Sequence, residues 1–280
     1  MTLVAGFKCR DGFVVGADTE ITYGDVLFQG HKLANYSGES KHYDIVIGGA
    51  GSASYIASVS QKIQDGVAAL PVPSFHHIKR VVEENIAELH RDHLFKYWAP
   101  EDEHRPAVEL IVGIEDENKK FGIVVTDNTS VSEPGDYAFV GSGSVIAHHV
   151  SEKLWVPNLS TASMVHLARQ IFREVKRKGT YVGGNTELIC RRSFPNAEQF
   201  FDVSVKDYRF LWGLDDILMQ GVRCAIDVRK SKETVEKRIK AIAKTLRQIR
   251  KDCEADRVDK GETIRFTEFD SEYGHMFKDL

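Results

Sequence analysis

Cysteine is scarce in this chain and never paired at short spacing. Only Cys9, Cys190, Cys224 and Cys253 occur in 280 residues. With no CxxC and no zinc-like spacing, neither a disulfide framework nor a structural metal is expected, and the four read as reduced thiols in a reducing compartment. A surplus of one charge is also lacking. The 37 Lys and Arg against 41 Asp and Glu leave a formal −4, without the concentrated basic face that a phosphate backbone demands. No apolar run approaches the roughly 18 residues that span a bilayer. The opening Met1–Lys8 has no basic flank leading into a long apolar stretch, so no signal peptide is read there. HExxH, P-loop and GxSxG patterns are missing as well. These absences lead to the expectation of a soluble, cytoplasmic protein with no cofactor, no metal, no nucleic-acid partner and no membrane partner.

What is present suits a large packed core. Hydrophobic residues make up 42% and charged residues 28%, ordinary for a globular chain long enough for one large domain and an appendage. Residues 3–8 read as an apolar strand, Asp11-Gly12 as a turn and Phe13–Asp18 as a second strand. Tyr43–Ile47 is a third, running into Gly48-Gly49-Ala50-Gly51. Ser52 is a candidate cap for a helix whose Ile56, Val59, Ile63 and Val67 recur at helical spacing. A second helix follows Ser74, with Phe75, Ile78, Val82, Ile86 and Leu89 on one face.

Strands then return at Val108–Ile114 and Phe121–Val125 around a polar turn at Asp116–Lys119, and again at Tyr137–Val140. Gly141-Ser142-Gly143-Ser144 opens another helix. Thr161 to Lys178 is helical with Met164, Ala168, Ile171 and Val175 inward, and Leu188–Cys190 is a further strand. Strands and helices thus arrive in groups and not in single alternation, which disfavours a doubly wound parallel sheet. Two sheets stacked face to face with a helical pair outside each, an α+β four-layer αββα sandwich, fits this order.

From residue 230 the character changes. Val235, Ile239, Ile242, Leu246, Ile249 and Cys253 step by 4 and 3 among Lys, Arg and Glu, the stripe of a helix laid on its own domain or on a neighbouring subunit. An acidic tail with Phe266, Phe269, Tyr273 and Phe277 follows. The expected domains are therefore 1–229 and 230–280.

Thr2 is a candidate nucleophile. Removal of Met1 would free its α-amine, whose ordinary pKa near 7.7–8.0 lets it accept the proton of the neighbouring hydroxyl. Asp18 ends the next strand, one hairpin away, and Lys32 follows in Gly30-His31-Lys32-Leu33. A lysine beside the amine would lower the amine's pKa by repulsion, and an aspartate would orient that lysine. Two other local patterns are weaker. Gly141-Ser142-Gly143 resembles a dinucleotide loop, but Ile146 stands where the third glycine belongs. His90 and His93 have a metal-compatible spacing without a third ligand, and the pairs His76-His77 and His148-His149 add nothing to it.

The segments Thr2-Leu3-Val4, Asp11–Asp18 and Gly24–Leu33 together resemble the start of proteasome β subunits and of their bacterial relative HslV, which are N-terminal-nucleophile hydrolases. Ile47–Ala53 is similar to the family's glycine-rich turn into its first helix, Tyr137–Ser144 to its Gly-Ser-Gly turn and Tyr181-Val182-Gly183-Gly184 to its paired glycines. The resemblance covers roughly residues 2–195. It implies a proteasome-like threonine endopeptidase with Thr2 as nucleophile, Lys32 as tuner of the amine, Asp18 as its partner and Ser142 as proton shuttle. It further implies a backbone N–H at Gly48 or, in the competing register, Gly51 as oxyanion donor, with Val46 and Ala50 bordering an apolar substrate pocket. A peptide or unfolded-protein substrate, a homo-oligomeric ring and an ATPase partner left open belong to the same implication. The pattern is broken at Gly179, which stands where the family carries an aspartate, at Val182, which stands where it carries a serine, and in the spacing from Asp18 to Lys32, which is shorter than the family's. A ring-forming subunit without activity and a small-amide amidohydrolase therefore remain as alternatives.

Overall fold

The two apolar stretches at the start of the chain pair as a hairpin, β1 (Val4–Cys9) and β2 (Gly12–Asp18), turning at Arg10 and Asp11. The computed structural model describes residues 2–23, 26–38, 43–97, 106–179, 182–192 and 201–204, together with residue 240. The chain divides into two units, Met1–Val205 and Lys206–Leu280, and the layered architecture belongs to the first. The expected boundary at residue 230, the heptad stripe and the aromatic tail lie outside the described residues.

A short hairpin of β3 (Glu20–Tyr23) and β4 (Val26–Gln29) follows. Next come β5 (Leu33–Gly38) and β6 (Tyr43–Gly51), then the helices α1 (Ala53–Ala69) and α2 (Phe75–Leu89). A π-helical turn at His90–Leu94 and the single turn α3 (Phe95–Tyr97) extend α2. The chain re-enters a sheet through β7 (Val108–Glu115), β8 (Phe121–Asp127) and β9 (Ser130–Ser132). It finishes this unit with β10 (Tyr137–Val140), α4 (Ser144–Leu154), α5 (Thr161–Lys178), β11 (Thr186–Arg192) and β12 (Phe201–Ser204).

Two five-stranded antiparallel sheets result, ordered β10-β1-β2-β11-β12 and β5-β6-β7-β8-β9. The first carries α4 and α5 on its outer face, burying Leu3, Phe7, Val14, Met164, Phe172 and Leu188. The second carries α1 and α2, burying Ile45, Ile63, Ile78, Val82 and Val112. Between the sheets lie Val4, Phe13, Val15, Val46, Ile111 and Ile123. The four-layer αββα sandwich expected from the element order is the one observed.

Strand β2 explains why the sequence reads as a continuous apolar run there. Phe13, Val15 and Ala17 face the other sheet while Val14 faces the helices, so no position on the strand meets water. Each large side chain buried in this way contributes about 1.5–3 kcal/mol. The sheets approach closely where Gly113 faces Phe13. A Cβ on that glycine would lie 2.3 Å from the ring, so the aromatic occupies the space a side chain would need.

The inward faces expected for α1, α2 and α5 are those observed. Ser74 and Ser160 cap their helices through side-chain bonds to the N–H of His77 and Ser163. Ser52 holds the capping position of α1, but its hydroxyl meets Ser54 Oγ at 3.3 Å and caps no N–H, a correction to the expected cap. Cys9 and Cys190 are buried and form no disulfide. Among the described residues, no helix is long and apolar enough to cross a membrane.

Candidate active site

Thr2 is held at the mouth of the first sheet by reciprocal bonds of its neighbour. Leu3 N–H donates to Asp18 Oδ1 at 2.8 Å, and Asp18 N–H donates to Leu3 O at 3.1 Å. Because β1 and β2 pair in register up to Val4 and Ala17, Thr2 lies beside the end of β2. Asp18 ends that strand with no exposure at all.

Lys32 arrives from the segment between β4 and β5. Its backbone carbonyl accepts from Gly49 N–H (3.4 Å), while Gly30 N–H donates to Thr19 O (2.9 Å). These two bonds fix the segment against both sheets. Lys32 Nζ donates to Thr2 Oγ1 at 2.9 Å and to Asp18 Oδ1 at 3.0 Å. The side chains of this ion pair are 7% and 0% exposed. Burial pushes the Lys32 ammonium below its ordinary pKa, and Asp18 followed by Glu20 opposes that shift. Asp18 Oδ2 accepts from Gly183 N–H at 3.4 Å, so the carboxylate is satisfied by three donors from separate parts of the chain.

The opposite side of Thr2 is formed by the turn from β10 into α4. Thr2 N–H donates to Ser142 Oγ (3.2 Å), and the Thr2 carbonyl accepts from Gly143 N–H (3.2 Å) and from the Ser142 hydroxyl (3.5 Å). Gly141 has φ +88, and a Cβ there would lie 2.3 Å from Thr2 O, so this position requires glycine. Its N–H donates to Glu109 Oε2 at 2.8 Å, which ties the turn to β7.

The structure thus brings together Thr2, Asp18, Lys32 and Ser142. It separates the two candidate oxyanion donors. Gly48 lies inside the second sheet, between Leu33 on β5 and Ile111 on β7. A Cβ there would run into Val4 and Leu33. Gly51 ends β6, is exposed and has φ +114. Val46 and Ala50 both lie in the core between the sheets, and Ala50 also reaches the Gly141 turn, 3.0 Å from where a Cβ on that glycine would stand.

A family model described as proteasome subunit matches residues 2–190. The chain belongs to the proteasome-subunit family. It is similar to proteasome subunit beta type-2 of Saccharomyces cerevisiae, 25% identical over 240 residues, covering 82% of this chain and 86% of the yeast protein. Its fold is that of Anbu, described as an ancestral β-subunit, from Yersinia bercovieri (TM-score 0.65, 13% identity, 82% of this chain and 98% of that one). It likewise matches the helical assembly of the Anbu complex from Pseudomonas aeruginosa (TM-score 0.65, 16% identity, 82% and 97%). At such identities the likeness is one of fold.

Within this proteasome-like frame, the departures in the sequence have a structural counterpart. Val182 is buried in the core beneath α4 and α5, and Gly179 ends α5. The polar groups around the paired glycines come from elsewhere. Glu20 lies with its carboxylate against Gly183, and Lys176 Nζ donates to Gly184 O (3.0 Å) and Thr186 Oγ1 (2.7 Å). Sequence reasoning missed Glu20, Glu109 and Lys176, and named Gly183 only within the paired-glycine motif, without the role of its N–H. Glu109 had one signal, a lone charge inside the apolar run Val108–Ile114.

The remaining sequence candidates do not converge on a site. His90 is buried in the π turn against Phe95, and His93 packs near Tyr55. Among the described residues no group of three or more His, Cys, Asp or Glu could hold a metal ion. The Gly141–Gly143 turn joins a strand to a helix but belongs to an antiparallel sheet, unlike a dinucleotide loop.

Proposed function

We propose that this chain is a threonine-type endopeptidase that cuts peptide bonds with Thr2 once Met1 has been removed. One observation carries the reading: Lys32 Nζ bonds both Thr2 Oγ1 and Asp18 Oδ1. A buried ammonium donating to a threonine hydroxyl lowers the cost of placing negative charge on that oxygen.

In the proposed reaction Thr2 Oγ1 attacks the scissile carbonyl carbon as its proton passes to the Thr2 α-amine. The tetrahedral intermediate collapses, the amine returns the proton to the departing nitrogen, and an ester to Thr2 remains. Water, activated by the same amine, then hydrolyses the ester and restores the hydroxyl. Ser142 Oγ, already 3.2 Å from the Thr2 nitrogen, relays the proton. For the oxyanion we favour the N–H of Gly51 over that of Gly48. Gly51 is exposed at the end of β6, next to the Ala50 that meets the Thr2 turn, whereas Gly48 is enclosed within its sheet. A preorganised donor of this kind stabilises the transition state by about 3–4 kcal/mol.

The reading extends to a peptide or unfolded-protein substrate and to a cytoplasmic homo-oligomer, either a ring or a spiral of the sort named for the Pseudomonas aeruginosa Anbu complex. Gly179 and the buried Val182 favour one rival, a subunit that assembles without cutting.

Intact mass and covalent labelling decide between them. The expected result is a protein lacking Met1 whose Thr2 is captured by a peptide epoxyketone, which needs hydroxyl and amine on one residue. Thr2→Ala should remain unlabelled. Retention of Met1, or equal labelling of Thr2→Ala, sinks the peptidase reading.

A further inference from the structure

Lys176 closes the last turn of α5, directly after the buried Val175. Its side chain runs toward the Thr2 site, where Nζ meets Gly184 O and Thr186 Oγ1. Both acceptors are uncharged. Burial pushes the ammonium down to about 8; Asp18 and, more weakly, Glu20 resist that shift, and Lys32 adds to it. Among the described residues, those three are the charged groups that act on Lys176, from β2, from β3 and from the segment before β5. Glu187, the next residue on β11, is taken up by His31.

The acceptors matter because of what they hold. Thr186 pairs with Asp18 across the β2–β11 ladder. Gly184 has φ +64, and a Cβ there would strike Thr19 Oγ1 at 2.6 Å. The preceding Gly183 N–H is the donor to Asp18 Oδ2. The Gly183–Gly184 turn is therefore wedged between Thr19 and the Lys176 ammonium, with its N–H aimed at the carboxylate that orients Lys32. This polar support stands where Gly179 and Val182 offer none.

We propose that Lys176 is a positioning residue of the Thr2 site. Its ammonium fixes the Gly183–Gly184 turn against Asp18 and sets a second positive charge near the Asp18–Lys32 pair. The proposal rests on the peptidase reading for its consequence in rate, though not for the coupling between the two lysines.

Two measurements on the full chain test it. The first compares the parent with Lys176→Met and Lys176→Arg in the pH dependence of epoxyketone capture of Thr2. Lys176→Met is expected to slow capture about tenfold near neutral pH and to move the rising limb of the profile upward by about half a unit or more. Lys176→Arg, which keeps charge and donors, is expected to restore most of the rate. A uniform loss at every pH, equal in both variants, marks a merely structural residue and overturns the proposal. The second is an NMR titration of Lys176 with 13C-labelled lysine, comparing the parent with Lys32→Met, which needs no activity. Removing the like charge of Lys32 must raise the Lys176 pKa. An unmoved Lys176 titration refutes the coupling even if the parent is never captured by the epoxyketone, an outcome that by itself would fault only the peptidase reading.

Discussion

Gly141 stands where any side chain would collide with Thr2: a Cβ built on it would lie 2.3 Å from the Thr2 carbonyl oxygen. The turn between β10 and α4 therefore locates Thr2 by backbone contact, with Ser142 and Gly143 adding bonds to its N–H and its carbonyl. Gly141→Ala would combine a left-handed backbone with a clash. It is expected to cost about 1–3 kcal/mol of stability and to reduce epoxyketone capture of Thr2 disproportionately. Urea unfolding and labelling rates, measured on the same preparations, check both parts.

Asp18→Asn removes the charge that holds Lys32 protonated. Asp18 raises the Lys32 pKa against the effect of burial, so its neutralisation must lower that pKa further. It also leaves a buried ammonium without its partner, at a cost of roughly 3 kcal/mol or more. An NMR titration of Lys32 and a denaturant midpoint read the two effects separately.

Stability should respond to pH through Lys176. Its folded value, about 8, is below its ordinary value of 10.5. Between those limits the unfolded chain keeps a proton that the folded chain has released, and stability from this group rises with pH. Lys32, also depressed, acts in the same sense. From about pH 7 to about pH 10, the denaturant midpoint of the parent is expected to gain relative to that of Lys176→Met, whatever the other titrating groups contribute in common. Parallel curves for the two proteins would contradict the assignment.

Gly113→Ala tests the contact between the sheets. The added methyl would meet the Phe13 ring at 2.3 Å, overpacking that costs about 1–3 kcal/mol. Pairing it with Phe13→Leu should recover part of the loss, since the smaller side chain vacates the contested volume. A double variant no more stable than Gly113→Ala alone would show that the ring is not what the methyl strikes.

The layered fold was legible because burial on both faces writes itself as apolar runs, as at Phe13–Asp18 and Val108–Ile114. The helical stripes of α1, α2 and α5 were legible through their spacing. β5 and the β3–β4 hairpin were not. Leu33-Ala34-Asn35-Tyr36-Ser37-Gly38 forms a partly exposed edge strand whose mixed side chains carry no alternation strong enough to read. At the site, Thr2, Asp18 and Lys32 could be named from chemistry and resemblance because each acts with its side chain at a recognisable position. Gly183 acts through a backbone N–H, and Lys176 reaches inward from a basic helix end, Lys176-Arg177-Lys178, that reads as solvated. Only the folded geometry distinguishes that one lysine from its two neighbours.

Strand β2 meets protein on both faces and bears the buried carboxylate at its tip. A substitution anywhere along it is felt first in folding and only then in chemistry. The hairpin just beyond carries Leu27 and Phe28 on its surface, outside the packed layers. Changes at Leu27 and Phe28 thus leave the packed layers undisturbed, whereas changes along β2 reach both of its faces and the carboxylate at its end.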